Sequence, residues 1–70
     1  DWTRVLQAWT ENYLAKGNNN LLEEAIPKFE RTIIKVALNK TMGRKKEAAE
    51  LLGWGRNTLT RKIKELGLDN

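Results

Sequence analysis

The sequence predicts an all-α domain of four helices, the last two forming a helix-turn-helix. Three observations predict it. Apolar residues recur at three- and four-residue intervals over residues 2–15, 21–38 and 59–66, which is the period of a helix face. Glycine and asparagine interrupt these stretches at residues 17–20, 43 and 53, where a chain can turn. Ala49 and Gly53 stand four apart, with the aliphatic Leu59 six positions on. That is the spacing of two short helices crossing at a sharp turn.

Asp1 can cap a first helix. Trp2, Val5, Leu6, Trp9 and Tyr13 follow as a wide apolar stripe, broadened by Leu14 and Ala15. Lys16 suits the negative end of that helix, and Gly17 suits its C-cap. After the turn, Asn20 with Glu23 reads as a capping box that starts a second helix at Leu21. Leu22, Ile26, Phe29, Ile33 and Val36 form a near-heptad seam along it. Ala25, Ile34, Ala37 and Leu38 extend the apolar surface to a second side. Pro27 removes one backbone hydrogen bond inside this pattern. A single bent helix is expected, the alternative being a start near Ile26. Gly43 ends the helix.

Residues 44–66 are the stretch around which the chain is organised. Glu47 to Leu52 are strong helix formers, and Gly53 stands where a left-handed residue would close a helix. The small side chain of Ala49 admits a close crossing, and Trp54 is expected as an apolar plug at the turn. In the next helix Leu59, Ile63 and Leu66 make one stripe, while Asn57, Thr60, Arg61 and Lys64 share the opposite face.

Arg56 opens that helix, where a cation opposes the macrodipole. Local stability therefore does not explain it, whereas a phosphate or a base edge would. Arg can bond guanine through two parallel hydrogen bonds, and Asn can do the same to adenine. The competing reading is a solvated polar face. Arg44, Lys45 and Lys46 repeat the pattern at the start of the preceding helix, as phosphate anchors or as a solubilising cluster. Two basic helix starts within one short unit favour anchoring.

Composition narrows the alternatives. Seventy residues make one small domain with a thin core. Histidine, cysteine and serine are all absent, so imidazole, thiolate and serine chemistry are excluded, and neither a metal nor another cofactor is expected. The net charge of +4 is uneven: residues 1–43 hold six Lys/Arg against five Asp/Glu, and residues 44–70 hold seven against four. This division matches two parts of one domain, dimerisation helices at 1–43 and a DNA-binding unit with a short tail (67–70) at 44–70. The excess favours a polyanion partner. No aromatic stacking platform accompanies it, which favours duplex DNA over RNA.

The apolar surface of the first two helices admits two accounts, packing on the helix-turn-helix or a twofold dimer interface. Paired readers of palindromic sites need the second. Trp2, Val5, Leu6, Trp9, Tyr13, Leu22, Ile26, Phe29, Ile33 and Val36 are the expected interface. No apolar run is long enough for a membrane span, no signal peptide is apparent, and no Met precedes Asp1. An excised domain of a cytoplasmic protein is expected, without a small-molecule substrate or enzymatic activity.

The strings NLLEEAIPKFERTII and LLGWGRNTLTRK resemble the C-terminal domain of the nitrogen regulatory protein C (NtrC) family, which shares a fold with Fis. The resemblance covers nearly the whole chain. It implies a Fis-like four-helix protomer in a symmetric dimer, paired through its first two helices. The last two would bind palindromic, enhancer-like sites in the major groove, upstream of promoters served by the nitrogen-type sigma factor. Arg56, Asn57 and Arg61 are implied to contact bases; Thr58, Thr60, Lys62 and Lys64 are implied to contact phosphates or neighbouring bases. Arg44 and Lys46 occupy positions where Fis has polar phosphate contacts, and here both are cationic. The family's receiver and ATPase domains have no counterpart in these residues, which carry no phosphate-binding loop and no acidic receiver pocket.

Overall fold

The computed structural model describes residues 1–69; Asn70, assigned above to the tail, lies outside the described residues. Four helices follow in order: α1 (Trp2–Ala15), α2 (Leu21–Lys40), α3 (Lys45–Leu52) and α4 (Arg56–Glu65). No strand occurs among the described residues.

The helix ends show how local chemistry sets these boundaries. The Asp1 carboxylate accepts the Thr3 N–H at 3.0 Å and caps α1. Asn20 departs from expectation. Its backbone is left-handed (φ 53°), and its side chain makes no capping bond. A capping box needs an extended N-cap that aims the side chain at the first turn. Here the Asn20 carbonyl instead accepts the Glu23 N–H at 3.0 Å, and the Tyr13 hydroxyl donates to the Asn19 carbonyl at 3.2 Å. The start at Leu21 is as expected, but a turn fixes it and the capping box is absent.

Helix α2 runs unbroken through Pro27, so there is one helix here and not a start near Ile26. It ends at Lys40, three residues before Gly43. Met42 and Gly43 both take positive φ, and the Gly43 N–H donates to the Leu38 carbonyl at 2.8 Å. Met42 pays a steric penalty there that Gly43 does not.

The core lies where α2, α3 and α4 meet. Ile34 and Ala37 from α2, Ala48 and Ala49 from α3, and Leu59 and Ile63 from α4 are its buried members. Of the second apolar side of α2, Ile34, Ala37 and Leu38 therefore face inward, while Ala25 lines a groove against α1. Ala48 and Ala49 let α3 approach both neighbours closely. Trp54 and Leu66 pack around the rim as expected, joined by Ile33, Leu38, Leu52 and Leu68.

Helix α1 does not belong to this core, and none of its residues is buried. Its main neighbour is α2, reached partly through Trp2 stacked on Phe29, with ring centroids 6.3 Å apart. The radius of gyration is 14.2 Å, against about 11 Å for a compact chain of this length. The molecule is a three-helix core with a fourth helix standing off it.

Candidate nucleic-acid interface

The interface is built by the turn between α3 and α4. Gly53 has φ +77°, a conformation that L side chains adopt only with strain. The Trp54 N–H donates to the Ala49 carbonyl at 2.9 Å, and the Gly53 N–H to that of Glu50 at 3.2 Å. These bonds close α3 and redirect the chain within three residues, through Gly55, into α4. Burying Leu59 and Ile63 then fixes the rotation of α4 about its own axis. Asn57, Thr60, Arg61 and Lys64 consequently face solvent, and Thr58 is half-buried at the margin.

The start of α4 lacks the usual compensations of a helix N-terminus. Its N-cap is Gly55, with no side-chain capping bond, and its first turn has no acidic residue. Arg56 is exposed there and makes no ion pair among the described residues. The first-turn N–H groups and the guanidinium thus present donors and positive charge together. The start of α3 shares the missing side-chain cap but carries Glu47 in its first turn. Arg44 occupies the N-cap without a side-chain bond, and Lys45 and Lys46 follow, all exposed. The Arg44 guanidinium lies 3.5 Å from Glu47 in an exposed pair.

Two cations on α4 are paired, with different consequences. Arg61 reaches Glu65 at 3.2 Å, with both side chains more than half exposed. Such a surface pair is worth at most about 1 kcal/mol, so a phosphate or guanine edge can displace it. Lys62, expected with the contacting group, turns inward to Glu30 of α2. Sequence reasoning missed Glu30. It lies 32 residues away, and no local pattern connects the two.

The expected dimer residues are mostly uncovered. Trp2, Val5, Leu6, Leu22, Ile26, Phe29 and Val36 are all exposed, Val5 at 72%. A groove of about 650 Å³ runs between α1 and α2, lined by residues including Trp2, Leu6, Trp9, Phe29 and Ile33. Trp9 and Tyr13 stack on each other at 5.2 Å. Ile33 differs from the rest of the seam: it lines the groove and also packs against the chain's own core. Among the described residues no cluster of three acidic side chains could hold a metal ion, and no helix is long and apolar enough to cross a membrane.

Comparison with known proteins gives consistent matches. Residues 25–66 match the family described as bacterial regulatory protein, Fis family. The chain is 56% identical over 68 residues to the DNA-binding transcriptional regulator NtrC of Escherichia coli strain K12, covering 97% of this chain and 14% of that protein. It therefore spans about one seventh of the length of such relatives. It is 31% identical over 66 residues to the DNA-binding protein Fis of Buchnera aphidicola subsp. Acyrthosiphon pisum, covering 94% of this chain and 67% of that one. A solution structure of the DNA-binding domain of NtrC with three alanine substitutions superposes with a TM-score of 0.66. That match is 51% identical and covers 99% of this chain and 76% of the other.

Proposed function

The chain belongs to the Fis family of bacterial regulatory proteins, and from that membership we propose that it binds duplex DNA sequence-specifically as a homodimer. Residues 44–70 form the DNA-binding unit and residues 1–43 the dimerisation helices. In the full-length protein it serves as the DNA-binding part of a cytoplasmic transcriptional activator of the nitrogen-regulation type. Its targets are palindromic, enhancer-like sites.

One observation carries the reading. Helix α4 spends its aliphatic residues on the core and leaves Arg56, Asn57, Thr60, Arg61 and Lys64 on one open face. Arg56, Asn57 and Arg61 read base edges in the major groove. Thr58, Thr60 and Lys64, with Arg44, Lys45 and Lys46 of the neighbouring helix start, hold phosphates. The exposed apolar faces of α1 and α2 pair with those of a second copy, which offers α4 twice, about one turn of DNA apart.

The test is a gel shift at physiological salt on a palindromic duplex selected by the chain from a randomised pool, against random duplex. Specific retention that falls steeply with salt is expected. Replacing Arg56, Asn57 and Arg61 by Ala removes it and leaves the fold and the dimer mass intact. Equal, weak retention of both duplexes would instead indicate a nucleoid-type binder or a docking module.

A further inference from the structure

Lys62 sits within the reading helix, yet its ammonium points away from the reading face. Its Nζ lies 2.9 Å from one Glu30 carboxylate oxygen and 3.2 Å from the other. The two side chains are only 24% and 15% exposed. The other three ion pairs among the described residues join positions three or four apart in sequence, within one helix or from its N-cap. This pair alone spans two helices, and they are α2, which lines the groove, and α4, which carries the reading face.

Its surroundings give it a mechanical role. Helix α3 packs against both α2 and α4, whereas α2 and α4 have no comparably close backbone approach. What lies between them is the apolar cluster of Ile34, Leu59 and Ile63. Apolar contact is non-directional. The charge-assisted hydrogen bond from the Lys62 Nζ to one Glu30 oxygen constrains both distance and angle. It is also sheltered enough that solvent and salt screen it less than the three surface pairs. Glu30 adjoins Phe29, and Lys62 adjoins Arg61, so the pair ties a position beside the groove to one beside the reading face.

We infer that Glu30 and Lys62 form a positioning strut that sets the angle between α4 and the dimer-forming helix α2. Lys62 is then a positioning residue and makes no phosphate contact. In a symmetric dimer a small change of that angle moves the two α4 copies in opposite directions, so the strut governs which half-site spacing is accepted. This inference rests on the DNA-binding dimer proposed above.

The test uses the palindromic duplex selected by the wild-type chain, together with versions whose half-sites are one base pair closer or farther apart. Glu30→Gln and Lys62→Gln are each expected to weaken binding to the selected duplex by roughly three- to tenfold, with the double variant no worse than either. Both also lose discrimination between spacings, a readout that mere destabilisation does not produce. The slope of log affinity against log salt stays at the wild-type value for Lys62→Gln, whereas a lost phosphate contact would flatten it by about 0.9 per chain. The reversed pair, Glu30→Lys with Lys62→Glu, recovers spacing discrimination, and it serves in place of the single variants if those unfold.

A flattened slope in Lys62→Gln overturns the inference. So does tighter binding by Glu30→Gln, which would mean that Lys62 had been released to the backbone. Unchanged spacing discrimination in variants of a chain that binds normally overturns the strut alone, as does a reversed pair that recovers nothing. A wild-type chain that selects no duplex overturns the DNA-binding reading itself, and the strut's role in DNA reading with it.

Discussion

Helix α1 and helix α4 use their apolar residues in opposite ways. Helix α1 carries Trp2, Val5, Leu6, Trp9, Tyr13 and Leu14 and buries none of them. Helix α4 is dominated by polar and charged residues, yet it buries Leu59 and Ile63 almost completely. Apolar content therefore does not predict burial here. What decides it is whether an opposing surface exists within the same chain. For α4, the alanines of α3 and Ile34 of α2 supply one. For α1, only one side of α2 is available, and Val5, Leu6 and Leu14 of α1 and Leu22, Ile26 and Phe29 of α2 remain exposed. Exposed apolar area of this kind marks an interaction surface. The two regions thus differ: one closes a core and frees a polar face, and the other holds the apolar face proposed above to pair with a second copy.

The sharpest way to break this comparison is to charge the α1 face. Val5→Asp with Leu6→Asp is expected to convert the dimer to a monomer by mass, with α2 to α4 still folded by circular dichroism. Binding to a palindromic duplex should fall by about 10² to 10⁴-fold as the two linked contacts become independent. A chain that remains dimeric would remove the role assigned to α1.

Charging α1 should spare the core, and truncating the core should spare α1. Leu59→Ala opens a cavity in the α2–α3–α4 cluster and is expected to cost about 2–5 kcal/mol in denaturant unfolding. Val5→Ala, at an exposed site, should cost the monomer almost nothing. Equal losses at the two positions, measured on the monomeric chain, would mean that α1 is buried in the folded protomer after all.

The free face of α4 gives a subtler contrast. Arg56→Ala or Asn57→Ala should lower discrimination against a wrong base pair by about 1–3 kcal/mol. The melting temperature should not fall, because neither side chain contributes to the core and Arg56 opposes the macrodipole. The turn supplies the smallest effect. Gly53→Ala has open space for the added Cβ, but the positive φ should cost about 1–2 kcal/mol of stability.

The legible parts of the molecule were those written within one turn of helix. Leu59, Ile63 and Leu66 recur at helical spacing, so their common face, and the opposite face of Asn57, Thr60, Arg61 and Lys64, could be read directly. Gly53 announced the turn because few other residues tolerate its backbone. Asn20 was less legible, since its side chain suits both a cap and a left-handed turn and only the path of the connection selects one. Both apolar sides of α2 were legible, with Leu22, Ile26 and Val36 expected at a dimer interface, but the sequence did not show that Ile34 and Ala37 on the other side would meet the alanines of α3 and Leu59 and Ile63 of α4. Lys62 read like its cationic neighbours, because Glu30 lies far away along the chain.

The amino-acid sequence by itself determined the four helices, the sharp turn between the last two and the composition of each helix face, because helical geometry links residues only three and four positions apart. The tertiary structure alone decided which faces meet. It turned Lys62 inward to Glu30, left Arg61 in a displaceable surface pair and left α1 without cover. Those outcomes depend on distances between residues remote in sequence, which the loops and the packing of α3 against both its neighbours set.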